Sequence, residues 1–375
     1  MLRALRDPST FSAYRGEFMK AMVLNKIMSL AKNGAPLELV ELPVPLPGKN
    51  EILVKVSVCG VCHTELDEIE GRTPPPTLPV IPGHQIVGRV EKAGTSASRF
   101  RIGERVGIAW IHSACGTCTQ CLRGMENLCD DFKATGRDAH GGYAEYTTVP
   151  ETFAYGIPDV FTDAEAAPLL CAGAIGYRSL RLAGLRNGEN IGLTGFGASA
   201  HLVLRMVNFL YAKSNIYVFS RTEAERAFAR ELGAAWAGGP GDDAPEKLHA
   251  IIDTTPAWTP VVEAMKNLAK GGRLVINAIR KEEGDKNALQ SLDYARDLWM
   301  EKEIKSVANI TRKDVEEFLR LAAEMKIKPA IQMYPLHEAN KALIELKERK
   351  IRGAKVLRVD ASQCGQGQGM IAKDG

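Results

Sequence analysis

The chain has 375 residues, a formal net charge of +3 and 45% hydrophobic residues. A single hydrophobic core stops growing near about 250–300 residues, so this length predicts about two domains. The basic residues are scattered, and no apolar run approaches the roughly 18 residues of a membrane-spanning helix. We therefore expect a protein that binds neither nucleic acid nor a membrane and that acts on a small molecule.

The two ends of the chain differ in composition from the rest. Residues 1–18 contain arginines but also acidic residues, and they lack the apolar stretch of a secretory signal. We interpret them as a disordered extension, with an organelle-targeting peptide as the alternative. Residues 361–375 are polar and rich in glycine, which predicts a disordered tail.

The body of the chain changes its pattern twice. Short β-rich runs such as "EILVKVSV" and "GYAEYTTV", broken by Gly and Pro, predict an irregular β domain over 19–172. Strand–helix alternation from "IGLTGF" to "GGRLVINAI" predicts βαβ units with a parallel sheet over 173–309. Two amphipathic helices and a strand over 310–360 are expected to return to the first domain. The predicted fold class is α/β.

Four cysteines lie close together in "CGTCTQCLRGMENLC", within a lobe at about 112–130. The spacing C-x2-C-x2-C-x7-C indicates metal binding in a reducing, cytoplasmic compartment more than a disulfide framework. Four thiolates can surround one tetrahedral zinc and leave no open position, which is a structural arrangement. An iron–sulfur cluster is the rival reading, but ferredoxins carry Pro where this chain has Asp130. The residues are Cys115, Cys118, Cys121 and Cys129.

A second set of metal-binding residue types is dispersed along the chain. Cys62 stands in "GVCHTELD", His84 in "PGHQIVG" and Cys171 in "LLCAGAIGY". Taken singly, each has an ordinary structural explanation. Together with the four-cysteine lobe, "GGYAEY" and "GFGASAH", they follow the order of motifs in the zinc-containing medium-chain alcohol dehydrogenases. The chain resembles that family over nearly everything from Met19 to Asp360.

The resemblance implies a GroES-like first domain, a Rossmann cofactor domain and two zinc ions per chain. It implies that Cys62, His84 and Cys171 hold the catalytic zinc, with the fourth position open to water or substrate. Cys59 mimics a C-x2-C pair with Cys62, but the family's ligand immediately precedes the "HT" step, so we interpret Cys59 as a packed residue. Relatives form dimers or tetramers through the cofactor domain, which implies a homodimer or homotetramer here.

The resemblance also implies roles around the catalytic zinc. Glu65 matches the acidic residue that supports the zinc-bound histidine, and Thr64 matches the hydroxyl that receives the alcohol proton. Many relatives continue this proton relay with a histidine, where this chain has Asp67 and Glu68, so water is the alternative carrier. Gln85 stands where relatives carry Glu, which removes a negative charge behind the zinc. Gln85→Glu is therefore expected to alter turnover or zinc affinity.

A glycine-rich loop is the candidate cofactor site. The pattern G-x-G-x-x-A falls between a strand and a helix, where glycines permit a tight turn and close approach of a pyrophosphate. The pattern alone is weak, but its place in a βαβ unit strengthens the prediction. Its residues are Gly195, Gly197, Ala198 and Ala200.

Cofactor choice depends on the residues that follow the next strand. Ser220, Arg221 and Thr222 stand where an NAD-preferring enzyme presents an acidic side chain to the ribose. Arg221 could pair with a 2′-phosphate and the hydroxyls could donate to it, so we favour NADP(H). NAD(H) is the alternative, in which Arg221 is a solvated surface residue.

The implied activity is hydride transfer between an alcohol, or its aldehyde or ketone, and the nicotinamide cofactor. Trp110 and Ile111 in "GIAWIH" are expected near the substrate pocket, which favours an apolar or aromatic substrate, although packing explains Trp110 nearly as well. A zinc- and dinucleotide-binding sensor or scaffold without catalysis is a rival, motivated by Gln85 and the missing relay histidine. A zinc-free reductase is another.

Overall fold

The computed structural model describes residues 17–30, 34–348 and 353–360. The tail 361–375 and nearly all of the N-terminal extension therefore lie outside the described residues. The strands are β1 (Phe18–Leu24), β2 (Leu37–Pro43), β3 (Glu51–Val61), β4 (Ile86–Ala93), β5 (Arg105–Ile108), β6 (Ile111–Ser113), β7 (Lys133–Ala134), β8 (Tyr146–Pro150), β9 (Ala154–Gly156), β10 (Ile191–Thr194), β11 (Ile216–Phe219), β12 (Trp236–Gly238), β13 (Leu248–Asp253), β14 (Leu268–Ile276), β15 (Glu303–Ser306), β16 (Ile331–Pro335) and β17 (Ala354–Arg358).

Most of the α-helices lie in the second half of the chain. They are α1 (His63–Ile69), α2 (Thr119–Leu122), α3 (Asp163–Pro168), α4 (Ala174–Ala183), α5 (Ala198–Leu210), α6 (Glu223–Glu231), α7 (Thr259–Asn267), α8 (Arg312–Glu324) and α9 (Ala339–Lys347). No helix in these described ranges has the length and apolarity needed to cross a membrane.

The chain divides into two compact units. The first comprises the described residues up to Ile108, Ala134–Gly156 and those from Ala330 onward. Its main sheet has seven strands in the order β16-β17-β3-β4-β5-β9, with β8 paired to β3. The pairs are antiparallel except for β16 with β17, and β3 carries register shifts that bend it. This irregular antiparallel sheet confirms the predicted β domain.

The second unit comprises Ala109–Lys133 and Ile157–Pro329. Its six-stranded sheet has the order β12-β11-β10-β13-β14-β15, and every pair in it is parallel. Counted from β10 as the first strand, this order is 3-2-1-4-5-6, the arrangement of a doubly wound dinucleotide-binding fold. The predicted parallel sheet and α/β class are thereby confirmed. No sequence pattern predicted the short strands β12 and β15.

The loop with the four cysteines belongs to the second unit by its contacts, whereas the sequence assigned the lobe at 112–130 to the first domain. Glu126 of this loop forms an ion pair with Arg312 at the start of α8, with 3.0 Å between Oε1 and Nε. Asn127 donates from Nδ2 to the carbonyl oxygen of Ala308 at 2.7 Å. These two contacts hold the loop against the segment that enters α8.

Candidate metal centres and cofactor site

Two antiparallel strands bring Cys62 and His84 to the same end of the first unit's sheet. Strand β3 ends one residue before Cys62, and β4 begins two residues after His84. Cys59 of β3 is the register partner of Ile86 of β4. Cys62 and His84 lie just beyond this pair, where the two strands separate, and their side chains meet there. The Sγ atom of Cys62 lies 3.6 Å from Nε2 of His84. Both atoms are of types that bind zinc.

Glu65 holds this pair through the first turn of α1. Cys62 is the N-cap of the helix, and its Sγ accepts from the backbone N–H of Thr64 at 3.3 Å. One carboxylate oxygen of Glu65 accepts from the N–H of Cys62 at 2.8 Å, and the other lies 2.6 Å from Nδ1 of His84. A carboxylate on Nδ1 places the imidazole proton there, so Nε2 keeps its lone pair for a metal.

Burial and their mutual attraction shift the pKa values of Glu65 and His84. Burial disfavours charge on both groups, yet the carboxylate of Glu65, together with Cys62, raises the pKa of His84 well above its ordinary value. In return, and against the same burial, His84 lowers the pKa of Glu65. Both shifts show that these surroundings favour a positive charge at the imidazole, which a proton supplies or a divalent cation at Nε2 supplies in its place.

Three further polar side chains are buried close to this pair. Gln85 is 3% exposed, and its Nε2 has no hydrogen-bond partner among the described residues. Its amide packs on the backbone, because a Cβ atom on Gly60 would lie 2.7 Å from its Oε1. Glu68 and Tyr143 are also buried, and neither carboxylate oxygen of Glu68 nor the Tyr143 hydroxyl has a partner in the described part of the chain. No motif in the sequence pointed to Tyr143 as a site residue.

The two residues considered for the proton relay differ in their surroundings. Thr64 is half-buried in the first turn of α1, next to Cys62. Asp67 is buried on the same helix and forms an ion pair with Arg72. The ion pair holds the Asp67 carboxylate on Arg72, so the geometry does not present it to Thr64 as the next member of a relay.

The four cysteines of the second unit surround one point. Their sulfur atoms all lie within 4.8 Å of one another, with Cys115 and Cys121 at 3.9 Å. Backbone N–H groups point at the sulfurs, since Cys118 donates to Cys115 at 3.3 Å and Cys121 donates to Cys118 at 3.5 Å. Backbone N–H groups of Thr117 and Cys118 lower the pKa of Cys115 to about 6. In contrast, burial raises the pKa of Cys121 to about 12. A closed set of four sulfurs fits a structural zinc.

Cys171 lies in the second unit, within a single π-helical turn over Leu169–Gly173. The turn joins α3 to α4, and its end packs tightly, because a Cβ atom on Gly173 would lie 2.1 Å from the ring of Phe318. Single π-turns within helices occur frequently at functional sites. The side chain of Cys171 is half-buried, and none of Cys171, Cys62 and Cys59 forms a disulfide with another described cysteine.

The glycine-rich loop has the geometry of a phosphate site. Strand β10 ends at Thr194, and Gly195 follows with a φ of 76°, a conformation that favours glycine. Gly197 is the N-cap of α5 and provides no side-chain cap, so the first N–H groups of the helix remain available to a ligand. A Cβ atom on Gly197 would have no atom within 4 Å, whereas Ala200 is buried.

The end of β11 presents a mixed set of charges. Ser220 is buried and its hydroxyl donates to Glu225, while Thr222 is the N-cap of α6 and accepts from Glu225 N at 3.2 Å. Arg221 is exposed, and Arg226 donates from Nη1 to the carbonyl oxygen of Ser220 at 2.8 Å. No sequence pattern predicted Glu225 or Arg226 at this site, because both belong to the following helix.

The residues expected near a substrate pocket are packed within the second unit. Trp110 is 6% exposed and Ile111 is 2% exposed, and the Trp110 ring lies 5.3 Å from that of Phe132 between centroids. Their role in substrate binding stays a prediction.

Comparison with known proteins agrees with the fold and the motifs. The alcohol dehydrogenase GroES-like domain family matches residues 48–159. A probable alcohol dehydrogenase, AdhA of Mycobacterium tuberculosis, is 42% identical over 86% of this chain and 93% of its own length. An alcohol dehydrogenase of Geobacillus stearothermophilus is 34% identical over 91% of this chain and 100% of its own.

A solved structure provides a further comparison. The cobalt- and zinc-bound thermostable alcohol dehydrogenase of Pyrobaculum aerophilum is 25% identical, with a TM-score of 0.80 over 91% of this chain and 100% of that one. The chain belongs to the zinc-dependent medium-chain alcohol dehydrogenase family. It is an enzyme of this type, which removes the sensor or scaffold without catalysis from consideration.

Proposed function

We propose that this enzyme interconverts a small alcohol and its aldehyde or ketone with a catalytic zinc on Cys62, His84 and Cys171. The observation that carries the proposal is the contact between Cys62 and His84. A thiol and an imidazole Nε2 lie 3.6 Å apart, and buried Glu65 holds the opposite ring nitrogen. Cys171 completes the donor set by its motif, and two sulfurs with one nitrogen leave a fourth position for substrate.

A second zinc, on the four cysteines of the second unit, is proposed as structural. The support is the closed set of sulfurs and the absence of any carboxylate or imidazole from that group among the described residues. Such a metal adds stability and takes no part in chemistry, because no coordination position stays open.

The side chains around Cys62 have distinct tasks. When bound, zinc would supply a Lewis acid and the dinucleotide a hydride carrier. Glu65 orients His84 and keeps its proton on Nδ1. Thr64 carries the hydroxyl that exchanges a proton with the substrate, and water continues the path because Asp67 is bound to Arg72.

We propose NADP(H) as the preferred cofactor. Arg221 is exposed directly after β11 and has no ion pair among the described residues, so it is available to a 2′-phosphate. Arg226 places a second guanidinium at the same strand end, where it pairs with Glu223 at 2.9 Å. Glu225 opposes this preference, because a carboxylate next to Ser220 is suited to a ribose hydroxyl.

A screen of primary and secondary alcohols with both cofactors, combined with measured zinc content, tests the proposal. We expect two zinc ions per chain and alcohol oxidation that Cys62→Ala abolishes. Cys59→Ala is the matched control, since Cys59 is a buried free thiol of the same strand end. Activity retained in Cys62→Ala, or a higher kcat/KM with NAD⁺ than with NADP⁺, would reject the zinc site or the cofactor assignment respectively.

We further propose that the enzyme forms a homodimer through its cofactor domain. Strand β15 is at the edge of the six-stranded sheet and all of its residues are exposed. Trp299 and Tyr294, just before it, are 55% and 65% exposed. Exposed edges and apolar patches of this kind are commonly covered in assemblies. A monomer in light scattering, unchanged by Ile304→Lys, would reject this surface.

A further inference from the structure

A buried charge pair lies under the glycine-rich loop. Asp253 is the last residue of β13 and is fully buried, and Lys281, in the segment after β14, has an 8% exposed side chain. Their amine and carboxylate form an ion pair. Neither residue stands in the glycine pattern or among the metal ligands.

The carboxylate of Asp253 reaches the strand that leads into the loop. Its Oδ1 accepts from the hydroxyl of Thr194 at 2.5 Å and from that of Thr255 at 2.8 Å. Thr194 and Asp253 are register partners at the carboxyl ends of β10 and β13. The strand order reverses between β10 and β13, which is where open parallel sheets bind their ligands.

Lys281 fixes the segment on the other side of the loop. Its amine donates to the carbonyl oxygens of Thr255 at 2.8 Å and Ala257 at 2.9 Å, in addition to its contact with Asp253. This segment supports Gly195, because a Cβ atom there would lie 2.9 Å from Oγ1 of Thr254 and 3.0 Å from Cγ2 of Thr255. A shift of Thr255 therefore reaches the turn at Gly195 directly.

The rest of the segment after β14 tightens the same connection. Glu282 donates from its backbone N–H to the carbonyl oxygen of Pro256 at 2.7 Å. The carboxylate of Asp285 accepts from the backbone N–H groups of Trp258 at 3.0 Å and Thr259 at 2.8 Å. Burial raises the cost of each ionised group, so replacing a buried ion pair by apolar side chains is often neutral for stability. The ion pair between Asp253 and Lys281 is therefore better explained by the geometry that it imposes than by stability.

We propose that Lys281 is a positioning residue for the dinucleotide. By neutralising Asp253 and holding the carbonyl oxygens of Thr255 and Ala257, it keeps the turn at Gly195 in the shape that accepts a pyrophosphate. Lys281 does not touch the cofactor itself, since its amine is occupied by these three acceptors. The inference rests on the proposed cofactor site.

Titration of NADPH and NADH fluorescence on the purified zinc-loaded enzyme tests the proposal. We expect Lys281→Met to raise the dissociation constant by about tenfold, the effect of one lost charge-assisted contact. At saturating cofactor, kcat and the KM for the alcohol should change by less than about twofold, because only the cofactor site is displaced. Lys286→Met is the matched control, since Lys286 is 58% exposed and pairs with exposed Glu283.

The double variant Asp253→Asn/Lys281→Met separates geometry from an uncompensated charge. It removes both charges and so avoids leaving Asp253 buried without a counterion, which protects the fold if the single variant does not purify. A raised dissociation constant in a double variant with wild-type melting temperature supports positioning. A dissociation constant within about twofold of wild type would overturn it. A wild-type enzyme that binds neither dinucleotide would instead reject the proposed cofactor site, and this inference with it.

Discussion

The imidazole Nδ1 of His84 lies 2.6 Å from a carboxylate oxygen of Glu65, and both side chains are at most 1% exposed. This contact determines which ring nitrogen is available to a metal. We expect Glu65→Gln to weaken zinc retention by about 10–100-fold, the usual effect of removing a carboxylate that supports a histidine ligand. Competition with a zinc chelator measures it.

The control for this prediction is Glu41→Gln, because Glu41 is exposed on β2 of the same unit. Zinc retention in that variant should equal the wild-type value. If Glu65→Gln retains zinc as firmly as the control, Glu65 is not the residue that supports His84.

The sulfur cluster of the second unit leads to a prediction about metal content. Cys118 accepts from Cys121 N and is the N-cap of α2, so its sulfur is part of both the cluster and the local fold. We expect Cys118→Ala to lose one zinc ion per chain and to lower the melting temperature, because a structural zinc contributes directly to folding. Metal analysis and thermal unfolding of Cys118→Ala and Cys59→Ala provide the measurement. Equal zinc content in the two variants would contradict the assignment.

Cofactor preference should respond to the removal of Arg221. A charge-assisted hydrogen bond is worth about 1.5–3 kcal/mol, so Arg221→Ala should lower kcat/KM for NADP⁺ by roughly 10–150-fold and leave the value for NAD⁺ nearly unchanged. Arg186→Ala is the control, because Arg186 is also exposed on the second unit. A parallel fall with both cofactors would show that Arg221 supports the fold of this loop and does not read the phosphate.

Much of the fold could be read from the sequence because its periodic segments are long or bounded by glycine. The predicted helix at Glu223 begins at that residue, and the strand "NIYVFS" appears as Ile216–Phe219. Strands β12 and β15 have three and four residues and little apolar pattern, so only their pairing partners identify them.

Some residues of the candidate site were predictable from the sequence and others were not. The types and spacing of Cys62 and His84 predicted a metal site, because ligand chemistry restricts these positions to few residues. Glu225 and Lys281 could not be found in this manner. Both residues belong to segments outside the glycine pattern. Only the folded backbone brings them to the cofactor region, so no local sequence pattern marks them.

Glu68 makes stability depend on pH. Burial first, and then the nearby carboxylate of Glu65, raise the pKa of Glu68 well above its ordinary value, and neither of its carboxylate oxygens has a partner in the described chain. In the unfolded chain a glutamate titrates near about pH 4.3. Between that pH and the raised folded pKa, the unfolded chain releases a proton that the folded chain keeps, so stability falls as pH rises.

Glu68→Gln removes this dependence, since an amide does not titrate. The melting temperature of the variant should equal that of the wild type near about pH 4 and exceed it increasingly toward pH 8, by roughly 2–4 °C for each kcal/mol. Glu41→Gln, at an exposed position, should show no such trend. A difference between Glu68→Gln and the wild type that stays constant across this range would mean that Glu68 has the same pKa in the folded and the unfolded chain, which contradicts the prediction.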